Sequence, residues 1–110
     1  MKNDKVYLQH ILDSIDTIEM YIENIEKDEF LNDPKLVNDG VVRQLEIIGE
    51  ATKNISEEYR RGHPEVEWSK VIGMRNRIAH EYFYIDYEVV WDTVKRDLPK
   101  LKEQIQRLLK

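Results

Sequence analysis

Residues fitted for chemistry crowd into one stretch of the chain, Arg75-Asn76-Arg77-Ile78-Ala79-His80-Glu81-Tyr82. On a continuous helix Arg75 and Tyr82, seven apart, share one face, and Asn76 and His80, four apart, share another. A guanidinium, an imidazole, an amide and a phenol would then meet at one helix end. Arginine forks onto phosphate oxygens and keeps its charge, while histidine is the natural proton carrier near neutral pH. The set suits metal-free cleavage of an RNA phosphodiester. The 2′-hydroxyl attacks, His80 moves protons, and Arg75 stabilises charge on the phosphorane. Taken alone, the octapeptide fits a structural reading better: His80 capping a helix, Arg75 paired with one of 22 carboxylates, and Tyr82-Phe83-Tyr84 in a core or interface.

Other chemistries lack their residues. No Glu-x-x-His pair exists for a di-metal bundle, and no HExxH, glycine-rich phosphate loop or EF-hand loop occurs. Ser14, Ser56 and Ser69 lack a nucleophile-elbow context. His10 and Asp13 lie one helical turn apart, but two ligands do not make a metal site, and the pair reads as solvated surface. With no cysteine there is no thiolate ligand, nucleophile or disulfide, which fits a reducing compartment. No metal and no cofactor is expected.

The elements that position the octapeptide read as helices. Tyr7, Ile11, Ile15, Ile18, Ile22 and Ile25 step by three and four and predict a first helix ending near Phe30. Asn32-Asp33-Pro34 is a breaker, with Asp33 as a cap and Pro34 in the next first turn. A second helix carries Val37, Val41, Leu45, Ile48 and Ile55 to about Tyr59. Gly40 and Gly49 inside it mark places where another backbone comes close. After an Arg61-Gly62-His63-Pro64 loop, a third helix is expected from Trp68 to about His80. Asp86 caps a fourth with Val90, Trp91 and Val94, continued by Leu98, Leu101, Ile105 and Leu108 through a kink or restart at Pro99. No strand alternation appears. The expectation is an all-α, up-and-down bundle of four to five helices in a single domain over residues 1–110.

Charge is unevenly spread. Residues 1–39 hold 4 basic and 10 acidic side chains, whereas no carboxylate interrupts the run between Glu67 and Glu81, which carries Lys70, Arg75 and Arg77. The whole chain is net −5, a poor general binder of nucleic acid, since affinity comes largely from neutralised phosphates. No apolar run reaches membrane-spanning length and the start MKNDKVYLQH lacks a signal h-region, so a cytoplasmic protein without membrane contact is expected.

Arg75, four residues, His80, one residue and Tyr82 match the RX4HXY signature, and the chain resembles the HepT-like family of the HEPN superfamily. Leu45-Glu46-Ile47-Ile48-Gly49-Glu50-Ala51, Trp68 with Ile72-Gly73-Met74, and Asp97-Leu98-Pro99-Lys100-Leu101 resemble its flanking blocks. The resemblance implies a homodimeric helical bundle with a composite cleft, acting as a metal-independent ribonuclease toxin of a toxin–antitoxin pair. Arg75 and His80 would be catalytic and Asn76 supporting. Lys70 and Arg77 would be candidate RNA contacts. Tyr82 would be adenylylated (AMPylated) by a cognate minimal nucleotidyltransferase antitoxin, and tRNA or mRNA are candidate substrates. Glu81 departs from the pattern, where relatives often carry a small residue. The alternative is a non-catalytic HEPN module that binds RNA or nucleotide, or docks a nucleotidyltransferase.

Overall fold

The computed structural model describes residues 3–32, 36–81 and 84–110, and their side chains except those of 36, 37, 79–81 and 84. Helix α1 (Asp4–Ile22) opens under an Asn3 cap whose side chain accepts from the Lys5 amide. It buries Leu8, Ile11, Ile15, Ile18 and Ile22 along one stripe. The helix stops eight residues short of Phe30. Asn24 takes φ 63°, a left-handed conformation that asparagine tolerates and a helix does not. A separate α2 (Lys27–Asn32) then turns Phe30 into the core, 5.1 Å from the Trp91 ring. The Asp33–Pro34 cap falls outside the described residues.

Helix α3 (Leu36–Asn54) lies antiparallel to α1, as the Asp4 carboxylate shows by accepting from the Ser56 amide at 2.8 Å and its hydroxyl at 2.9 Å. It does not run on to Tyr59. Ser56 caps a new α4 (Glu57–Gly62), its hydroxyl accepting from the Tyr59 amide. At Gly49 an added Cβ would sit 3.7 Å from the Ile72 carbonyl, so backbone does approach there. At Gly40 the neighbour is instead the Tyr21 ring, 3.0 Å from an added Cβ.

The expected third helix is three pieces. Helix α5 (Trp68–Ile72) ends at Gly73, and α6 (Met74–Ile78) restarts with the Asn76 and Arg77 amides donating to the Gly73 carbonyl. The backbone then extends into β1 (Ala79–Glu81), antiparallel to β2 (Tyr84–Ile85), with Ala79 opposite Ile85 and Glu81 opposite Tyr84. The aromatic run Tyr82-Phe83-Tyr84-Ile85 suits a ribbon better than a helix. The Asp86 amide closes the turn on the Ile78 carbonyl at 2.7 Å. The all-α class therefore carries one two-stranded ribbon that periodicity did not show.

Asp86 does cap α7 (Tyr87–Asp92), its carboxylate accepting from the Val89 amide. Thr93–Asp97 is a π-helical turn, in which the Leu98 amide donates five residues back to Thr93, and α8 (Leu98–Leu108) follows with Pro99 in its first turn. Single π turns occur as bulges inside α-helices, and the restart at Leu98–Pro99 falls where the sequence placed it. Lys102 on α8 bonds Glu19 at 2.7 Å and Asp16 at 3.2 Å on α1. The described residues thus hold eight α-helical segments rather than four or five. Three long rods (α1, α3 and α7–π–α8) enclose the core. No described helix is long and apolar enough to cross a membrane.

Candidate active site

Helix α6 presents its two arginines in different directions, because residues two apart lie on nearly opposite sides of a helix. Arg75 is exposed, its side chain 71% accessible, and its Nε donates at 3.1 Å to Glu46 Oε2 on α3. With Nε engaged, the two terminal nitrogens have no partner among the described residues and stay available to an incoming phosphate. Arg77 turns the other way. Its Nη1 lies 3.5 Å from Asp97 Oδ2 on the π turn, and Lys70 Nζ from α5 lies 3.9 Å from Asp97 Oδ1. Asn76 is exposed on the same short helix.

The single-helix geometry expected for the octapeptide does not hold. The backbone changes from helical to extended between Ile78 and Ala79, so the helical spacings that grouped Arg75 with Tyr82 and Asn76 with His80 do not apply. His80 lies at the centre of β1, its side chain outside the described set, and Tyr82 lies outside the described residues. The fold brings Lys70 and Arg77 together around Asp97, and it holds Arg75 apart from them on Glu46.

Sequence reasoning missed those two carboxylates. Glu46 sits 29 residues before Arg75, on an amphipathic helix where it looks like any solvated acid. Asp97 is equally ordinary until the π turn aims it. Both fall inside the blocks quoted for the resemblance, which was the one available signal.

A small, charged, mostly helical chain with an exposed arginine on the helix that leads into a His-bearing strand defines a class of helical-bundle protein. The match to family models gives the class its name. Residues 11–108 match the ribonuclease HepT-like family, and the chain belongs to that family. It is 38% identical over 109 residues to "Putative RNase TTE0752" of Caldanaerobacter subterraneus subsp. tengcongensis, covering 99% of this chain and 96% of that one. It is 42% identical over 109 residues to "Probable ribonuclease HepT" of Thermococcus cleftensis, covering 99% and 98%. It is also 41% identical over 108 residues to "Gamma-glutamylcyclotransferase and putative RNase MJ0434" of Methanocaldococcus jannaschii, covering 98% of this chain but only 48% of that longer protein. No solved structure gives a significant match.

Proposed function

We propose that this protein is a metal-independent endoribonuclease, the toxin of a toxin–antitoxin pair, working as a homodimer whose two motif segments form one cleft. The observation that carries this reading is the Arg75 guanidinium: exposed, anchored through Nε by Glu46, and four residues before the start of the strand that holds His80. A guanidinium fixed through Nε keeps a two-pronged face for phosphate oxygens at little further entropic cost.

In the proposed reaction His80 removes the proton from a ribose 2′-hydroxyl, whose oxygen attacks the adjacent phosphorus. Arg75 stabilises the added negative charge on the phosphorane oxygens. The P–O5′ bond breaks as the His80 imidazolium gives its proton to the leaving oxygen. The products are a 2′,3′-cyclic phosphate and a 5′-hydroxyl. Asn76 supports the arginine from the same helix. Antitoxin control acts at Tyr82: a partner nucleotidyltransferase moves AMP from ATP to the phenol oxygen and releases pyrophosphate. The added negative bulk then excludes RNA.

Analysis of product ends tests the chemistry. Cleavage of single-stranded RNA in EDTA should leave cyclic phosphate and 5′-hydroxyl ends, whereas 5′-phosphate ends or loss of cleavage on chelation would refute it. Intact-mass measurement after co-expression with a nucleotidyltransferase should find AMP on Tyr82, and AMP elsewhere only would remove that residue's role. Light scattering should give twice the monomer mass; a strict monomer contradicts the composite cleft.

A further inference from the structure

On the side of α6 away from Arg75, the helix α5, the π turn and α8 enclose a cavity of about 110 Å³. Val71, Met74, Leu98 and Leu101 make apolar wall, and polar groups of both signs converge on it: Lys70, Arg77, Lys100 and Asp97, with Glu67 and Gln104 also lining it. Few apolar pockets with convergent donors and acceptors are built for water alone. The polar groups are also under-used by one another. The Asp97 pairs at 3.5 and 3.9 Å are ion pairs longer than hydrogen bonds, so neither carboxylate oxygen accepts a hydrogen bond among the described residues. The buried Arg77 Nε–H likewise has no acceptor among them. A buried unsatisfied donor is costly enough to call for an explanation.

We propose that this cavity is a guanine-binding subsite, with Asp97 the residue that reads the base. It deepens the ribonuclease reading by naming a preferred nucleotide in the substrate. A carboxylate accepts two parallel bonds from the adjacent N1–H and N2–H₂ donors of an unpaired guanine. Adenine, cytosine and uracil all place an acceptor beside their donor on that edge, which a carboxylate repels. The ammonium groups of Lys70 and Lys100 meet the O6 and N7 acceptors, the guanidinium of Arg77 covers a base face, and Val71, Met74, Leu98 and Leu101 take the remaining ring surface. Arg77 and Arg75 leave opposite sides of one short helix, so a single strand crossing α6 can put a guanine in the cavity and a neighbouring phosphate on Arg75.

The test is an NMR amide titration of the full chain with GMP, IMP, AMP, CMP and UMP, and with a short RNA holding one guanine. The subsite predicts shifts centred on Asp97 and Leu98, at least ten-fold tighter binding of GMP than of AMP, CMP or UMP, and weaker binding of IMP, which lacks the N2 amine. Asp97→Asn removes the guanine preference. Lys100→Glu, which leaves both Asp97 ion pairs in place, lowers GMP affinity and covers the case in which Asp97→Asn fails to fold. RNA binding tighter than GMP assigns the site to a strand; equal affinity assigns it to a free guanine nucleotide. Equal binding of all four bases, or GMP binding that survives Asp97→Asn in a folded protein, overturns the proposal. Arg75-dependent RNA cleavage with no GMP binding overturns the subsite and leaves the nuclease standing, whereas GMP binding without any cleavage does the reverse.

Discussion

At the residue scale, Glu46 holds one edge of the Arg75 guanidinium by accepting from its Nε. Arg75 is exposed and Glu46 half-buried, and bridges with a solvent-exposed partner add only about 0–1 kcal/mol to stability. The value of the pair lies in orientation, since the bond to Nε fixes the guanidinium plane. Replacing Glu46 with Gln should leave the melting temperature nearly unchanged. The same change should slow RNA cleavage by roughly ten-fold, equivalent to about 1.4 kcal/mol of transition-state stabilisation. Single-turnover cleavage beside thermal denaturation checks this, and a large fall in melting temperature with normal cleavage would contradict it. The residue types of the candidate site were visible in the sequence, but alone they fit a structural reading better, and only the flanking blocks of the family resemblance singled them out. Their anchors were not visible. An ion pair spanning 29 residues depends on how two helices dock, which no local pattern records.

At the element scale, helix faces were legible and helix ends were not. The three-four stepping of Ile11, Ile15, Ile18 and Ile22 reports which side faces the core, and all four are buried, whereas Tyr7, read on the same stripe, is half-buried and its neighbour Leu8 is the buried residue. Ile25 keeps the same step and misled, because periodicity does not register that Asn24 has left the helix. The same blindness hid the breaks at Ile55 and Gly73 and the ribbon after Ile78, where turn and cap chemistry overrides apolar spacing. Asp86 and Pro99 were read correctly since their side chains dictate backbone geometry directly. Asn24 gives a sharp test. Glycine accepts φ 63° freely, whereas a β-branched residue there is strained by about 1–2 kcal/mol. Asn24→Gly should therefore leave urea stability close to wild type and Asn24→Val should lower it by about that amount. Equal stability of the two variants would mean that the chain does not turn at this residue.

At the scale of the whole molecule, the rods are tied by groups whose protons the fold holds. Hydrogen bonds that Lys102 donates to Glu19 first, then Asp16, raise its ammonium above its ordinary value of 10.5. The native state therefore binds this proton more tightly than the unfolded chain. The α1–α8 tie contributes fully below that ordinary value and is lost as pH climbs through the raised one. Tyr59, raised by burial and then by the Asp4 and Glu65 charges, and Tyr87, raised by burial and then by its bond to Asp39, act in the same sense. Stability should fall on the alkaline side, and Lys102→Met should make that fall shallower. Urea midpoints of the two proteins from about pH 7 to about pH 11 check the point. Parallel curves would contradict it.

The account rests on one short helix handing an arginine to a histidine-bearing strand. Its most direct test is the rate of RNA cleavage in EDTA by the wild type, Arg75→Ala and His80→Ala proteins, each shown to be folded. We expect cleavage by the wild type and a loss of at least about 100-fold in each variant, the usual scale for removing an acid–base group or an oxyanion stabiliser. Cleavage by His80→Ala at the wild-type rate would contradict the account outright.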